Sequence, residues 1–153
     1  MPAGHSETPL AKQLNLRDDQ RVWFHAMPES VQDEIGEYAL DLIFVADPAE
    51  GIDAAHVFVT ERSELEEQVG ALREHIAKDG HIWVSWPNQA ADRPTDLTED
   101  IVREVCLPMG LVDTKLCEVD DTWSGLKLVI RKDLPVTMVG KLDRKALRAE
   151  VLD

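Results

Sequence analysis

The chain has 153 residues and a formal net charge of −14, with 44% apolar and 30% charged residues. That length supports one domain with its own core, and the acidic balance speaks against nucleic acid or an anionic membrane surface, which need a basic footprint. No apolar run approaches the roughly 18 residues of a membrane span, and residues 1–20 lack the basic start and apolar middle of a signal peptide, so the expected location is cytoplasmic.

Thr8-Pro9 predicts the start of a short helix, a hydroxyl N-cap followed by proline at the first helical position, with Leu10, Ala11 and Leu14 on its apolar side. A first strand is expected at Gln20–Ala26, broken by Pro28, then a weak helix over Glu29–Gly36. Ala39–Ala46 and Ala55–Thr60 follow as strands, the former stopped by Asp47-Pro48. These short, nearly continuous apolar runs are the pattern of strands buried on both faces of a parallel sheet. Ser63-Glu64-Leu65-Glu66 has the spacing of a capping box, and the helix it predicts places Leu65, Val69, Leu72 and Ile76 on one face before a C-cap at Gly80. His81–Trp86 is the fourth strand. Asp96 with Glu99 predicts a second capped helix carrying Ile101, Val102 and Val105, ended by Pro108 and Gly110. Leu111–Val119 and Leu126–Arg131 read as an antiparallel hairpin joined by a loop over Asp120–Gly125.

The order of elements predicts a three-layer, Rossmann-like α/β fold, its sheet mainly parallel with a C-terminal antiparallel hairpin. Residues 1–132 form the single α/β domain, and residues 133–153 a C-terminal tail with a helix over Asp143–Leu152. The charge is uneven: residues 131–153 hold six Lys/Arg against four Asp/Glu. The tail is therefore suited to docking on its own acidic body or on an acidic partner, or else is a solvated helix. Cys106 and Cys117 read as two buried thiols.

Three resemblances follow from particular residues. AHVFVT, the amphipathic helix, the Lys78-Asp79-Gly80 turn, HIWVSW and the GLVD start of the fifth strand resemble the second half of a class I methyltransferase fold, over roughly residues 20–131. Thr8–Leu14, Trp86-Pro87, Thr95–Glu99, Gly110–Cys117 and Thr122–Leu126 resemble a family of small uncharacterised bacterial proteins, a domain of unknown function of the 3052 type. That likeness implies the same fold and no established activity. Asn88-Gln89 stand where the family carries lysines after Trp-Pro. The tail segment Leu134–Arg148 resembles the closing motif of adenylate-forming enzymes such as acyl-CoA ligases and adenylation domains, which implies an adenylate contact at Lys141.

The chemistry expected from these residues is limited. An S-adenosylmethionine site of the usual kind needs glycines after the first strand, so that the backbone can approach the cofactor, and an acidic residue after the second. Here Met27-Pro28-Glu29-Ser30 follow the first strand, while Asp47 ends the second and would hold a ribose, or simply open a turn. The five histidines lack metal-ligand spacing, no GxSxG nucleophile elbow is present and Gly140-Lys141 lacks the rest of a Walker loop, so no metal site and no catalytic residue are expected. Trp86, Thr95, Asp96, Asp121, Trp123 and Ser124 are expected to converge above the sheet at a helix N-terminus, around a small anion or a protein partner's side chain. The reading is a non-catalytic binding or regulatory module with no cofactor. The alternative is an S-adenosylmethionine-dependent methyltransferase, and a weaker one is a remnant or fusion of an adenylate-forming enzyme.

Overall fold

The computed structural model describes residues 8–38, 40–91 and 93–131. The tail, with the helix expected over Asp143–Leu152 and with Lys141, lies outside them. Strands β1 (Arg21–His25), β2 (Ile43–Phe44), β3 (Ile52–Phe58), β4 (Ile76–Pro87), β5 (Leu111–Glu118) and β6 (Trp123–Ile130) form one sheet in the order β2-β1-β3-β4-β6-β5. The β1–β2, β1–β3 and β3–β4 pairs are parallel, whereas β4–β6 and β5–β6 are antiparallel. Helices α1 (Leu10–Gln13) and α2 (Glu29–Gly36) cover one face, and α3 (Arg62–Arg73) and α4 (Glu99–Cys106) the other. This is the three-layer, mainly parallel α/β fold with a terminal hairpin that the sequence order predicts.

Two cores follow from the period-2 alternation of the strands. On the α3/α4 side, Val57, Val59, Ile82, Val84, Trp86 and Leu126 pack with Leu65, Val69 and Val102. On the α1/α2 side, Val22, Phe58, Trp83 and Trp123 pack with Leu10, Leu14, Val31 and Ile35. Four-residue α1 is far too short to hold itself together. It is pinned by the Trp83 indole, whose N–H donates to the Leu14 carbonyl at 2.8 Å. Cys106 and Cys117 are both buried free thiols, one in each core. Burial pushes Cys106 up to about 12, and burial foremost also raises Cys117.

Several boundaries differ from the sequence expectation. β2 has two residues, not eight, and both are exposed, Phe44 to 66%. Among the described residues it is an edge strand bonded to β1 alone, so its apolar letters do not report burial. Gly80 does not cap α3. That helix ends at Arg73, and Gly80 lies inside β4, where a Cβ would come within 2.5 Å of the Asp53 backbone oxygen. A register shift between Ile52 and Ala54 brings the strands this close, and glycine alone fits. Trp123, Ser124 and Gly125 belong to β6, leaving a shorter hairpin turn in which the Asp120 carboxylate accepts the N–H groups of Thr122 and Trp123.

The α1/α2 core holds two buried histidines. His56 Nε2 lies 2.7 Å from Ser85 Oγ, and its ring stacks on Phe58 with centroids 4.4 Å apart. Burial, then the charge of His81, lowers His56 to about 3; burial, then Lys127, lowers His81 to about 4. Both folded values lie below the ordinary 6.5 of an exposed imidazole, so below that pH the unfolded chain binds more protons than the native one. The stability that follows from keeping both rings neutral is complete above about pH 6.5 and is lost as the pH falls toward 4 and then 3. Each ring contributes a slope of up to about 1.4 kcal/mol per pH unit in that window.

Two outcomes are expected. Urea unfolding at steps from pH 7.5 to 4.5 shows stability falling below pH 6.5, and the His56→Gln/His81→Gln double variant flattens this slope relative to the parent. Gly80→Ala lowers stability by about 1–3 kcal/mol, the usual cost of forcing atoms into a packed site, whereas Gly70→Ala, with nothing within 4 Å of its Cβ, does not destabilise.

Candidate functional site

The carboxyl ends of β1 and β3 form the topological switch point of the sheet, because the chain leaves β1 outward to β2 and crosses to β3 before continuing to β4. In open α/β sheets this crevice is where ligands bind. Here the turn out of β1 is Ala26-Met27-Pro28, with Ala26 in the left-handed region at φ 56° and Pro28 as the N-cap of α2. His25 closes β1, and its Nε2 lies 3.0 Å from Glu64 Oε2 in the first turn of α3, so the pair bridges the crevice on the α3 side. The turn carries no glycine, so each of its residues keeps a Cβ between the backbone and the crevice. Asp47 accepts the Ala49 N–H at 2.9 Å and caps the short turn Pro48–Glu50. It has a turn's duty at the edge of the sheet.

A second concavity, an open groove of about 730 Å³, lies at the carboxyl end of β4. Trp86 and Ser124 line it side by side, since they are register partners on β4 and β6. Thr95 and Thr98 come from the loop before α4, and Leu116 and Glu118 from β5. Glu118 is held in place: Ser124 Oγ donates to its Oε2 at 3.0 Å, and Asn88 Nδ2 reaches its Oε1 at 3.5 Å. Asn88 also donates to the Asp121 carbonyl, while its buried Oδ1 has no hydrogen-bond partner among the described residues.

The six residues expected to converge therefore separate. Trp86, Thr95 and Ser124 share the groove. Trp123 is buried in the opposite core, edge-on to Phe58 at 5.0 Å, with the Arg93 guanidinium 5.5 Å from its ring centroid. Strand alternation is the reason: Trp123 and Ser124 are adjacent in β6 and must face opposite ways. Asp121 is exposed at the hairpin turn and meets Asn88 through its carbonyl. Asp96 does not cap α4. Thr98 does, accepting the Ile101 N–H at 3.2 Å, while Asp96 Oδ1 accepts the Arg62 N–H at 2.8 Å and so caps α3 from outside. Thr95 Oγ1 donates to the Thr60 carbonyl at 2.6 Å and completes this stitch between the loop and the start of α3. The Ser63 box does not form, because α3 already begins at Arg62 and Glu64 accepts the Thr60 N–H instead.

Glu118 and Arg93 are groove residues that the sequence did not single out, and Asn88 and Glu99 line it too, read from the sequence only as a departure from a lysine pattern and as part of a helix cap. Glu118 sits one residue before the end expected for its strand, and only the hairpin register reveals its pairing with Ser124. Among the described residues no group of three or more His, Cys, Asp or Glu is placed to hold a metal ion, and no helix is long and apolar enough to cross a membrane.

The fold is a Rossmann-like α/β domain, and its likenesses among solved structures include methyltransferases. It is similar to the ribosomal protein L11 methylase of Lactobacillus delbrueckii subsp. bulgaricus (TM-score 0.51, 11% identity, 80% of this chain and 77% of that one). It is similar to the magnesium protoporphyrin IX methyltransferase of Synechocystis PCC 6803, solved with bound S-adenosylmethionine (0.51, 12%, 79% and 74%). A third likeness is to an S-adenosylmethionine-dependent methyltransferase of Clostridium acetobutylicum ATCC 824 (0.53, 6%, 84% and 94%). At these identities the likeness is one of fold. The chain belongs to the family described as protein of unknown function (DUF3052), whose model matches residues 11–132. No curated protein matches the sequence.

The reassigned caps give a direct check. Thr98→Ala and Asp96→Ala each cost about 1 kcal/mol, as lost N-terminal caps do, while Ser63→Ala stays within about 0.5 kcal/mol of the parent, the range of neutral surface changes. Thermal or urea melts of the three variants measure this.

Proposed function

We propose that this chain is a binding or regulatory module that performs no chemistry of its own, with its ligand in the β4–α4 groove and not in the switch-point crevice. The observation that carries this reading is the turn after β1, where Ala26-Met27-Pro28 replace a glycine-lined approach and the His25–Glu64 pair spans the gap. Of the two ligand classes left open by the sequence, small anion and protein side chain, the groove's charge favours the second. Glu118 and Glu99 line it, Asp100 follows Glu99 in the first turn of α4 with Arg103 paired to both of these, and Arg93 is engaged over Trp123. Carboxylates in that first turn already answer the positive end of the helix dipole. A cytoplasmic location fits this role.

The overall likeness to S-adenosylmethionine-dependent enzymes favours methyl transfer as the second reading. Any part that the tail plays as a remnant of an adenylate-forming enzyme rests on the letters of Leu134–Arg148 alone. Isothermal titration with S-adenosylmethionine and S-adenosylhomocysteine separates the first two. No heat and no rise in melting temperature up to millimolar ligand is the expected result; micromolar binding of either compound overturns the proposal.

A further inference from the structure

Where β6 ends, at the amino ends of the parallel strands, an acidic track begins. A cavity of about 460 Å³ there is lined by Asp79, Asp53, Asp18 and Asp19, with Arg17 and Lys78 as its basic members. Asp53 and Asp18 accept the backbone N–H groups of Arg21 and Asp41. Beyond it α2, running back from the carboxyl end of β1, brings exposed Asp33 and Glu37 to the same end of the sheet, beside exposed Asp41.

This track leads to an apolar pocket of about 160 Å³ between α2 and β2, walled by Phe24, Ile35, Leu40, Leu42 and Phe44. Phe44 meets Phe24 edge-on at 5.7 Å yet remains 66% exposed, and Tyr38, two residues past Gly36, is 41% exposed. Among the described residues β2 has one strand partner, and Ile43 and Val45 direct their N–H groups toward β1, which turns that of Phe44 outward. An apolar edge of this kind calls for a cover.

We infer that the cover is the chain's own C-terminal segment: Leu142, Leu147 and Val151 seat on the α2–β2 pocket, and Lys141, Arg144, Lys145 and Arg148 lie against the carboxylates beside it. The apolar and basic letters of this segment match the two chemistries of the surface. The reach is sufficient. From β6 to β2 is four strand spacings, about 19 Å at ~4.8 Å each, whereas the ten residues 132–141 span up to about 33 Å when extended. A second copy of the chain is the poorer occupant, because the two acidic α2 surfaces would face each other. The inference stands apart from the proposed function, since it uses neither the groove nor the crevice.

The test is a comparison of ¹⁵N–¹H spectra of the full-length chain and its full-length variants. Leu142→Asp/Leu147→Asp/Val151→Asp shifts the amides of α2 and β2, and so does Arg144→Glu/Lys145→Glu/Arg148→Glu. Adding Asp33→Lys/Glu37→Lys/Asp41→Lys to the second variant restores the parent positions around Phe44. Shifts confined to residues 132–153, or to the groove at β4, overturn the docking. Shifts in the parent that depend on concentration, with a dimer by sedimentation, overturn it in favour of the second copy.

Discussion

Everything in this fold is hung from β4. From Gly80 to Pro87 the strand is covered on both faces, with Trp83 pointing into one core and Trp86 into the other. A strand so placed has no water to bond its backbone, so each edge must find a partner along its whole length. β3 supplies one and β6 the other, in opposite directions. That demand sets the antiparallel hairpin beside a parallel sheet. It also draws β3 tightly against β4 at Gly80, and places the β4 carboxyl end under the α4 loop, where the groove opens. The indole of Trp83 then extends the same constraint to the N-terminus by holding α1 in place.

The switch-point crevice is built differently from the groove. In the crevice, the turn Ala26-Met27-Pro28 follows β1 and the His25–Glu64 contact lies on the α3 side. In the groove, Glu118, Ser124 and Asn88 are tied to each other across three strand ends, which fixes polar atoms around a space that nothing in the described residues fills. The groove lies at the carboxyl end of β4, one strand spacing from β3 at the switch-point crevice.

Much of this was legible in the sequence, for physical reasons that can be named. Apolar runs such as AHVFVT and HIWVSW must be strands buried on both faces, and their order with two amphipathic helices leaves few topologies. The misreadings share one cause: letters describe a residue's own preference but not its neighbour across the sheet. ALDLIFVA has the composition of a central strand, yet β2 pairs on one side and exposes Phe44. Gly80 has the position of a helix cap, yet its hydrogen-sized side chain answers to Asp53, 27 positions away. Trp86 and Trp123 look like one aromatic cluster until the hairpin register sends them to opposite faces. Asp96 is a cap, as its residue type suggests, but for α3, because the loop folds back over that helix through Thr95. His25 and Glu64 carry no motif, and only the crossover connection makes them neighbours.

The separation of the two cores has a chemical corollary in the cysteines. Cys106 and Cys117 lie in different layers with the sheet between them, so no disulfide joins them while the sheet is intact, and burial keeps both thiols protonated and inert. Each sulfur becomes reactive only when its own layer opens. The chain therefore carries two internal clocks, and alkylation of one or the other tells which layer, α1/α2 or α3/α4, has come away from the sheet first.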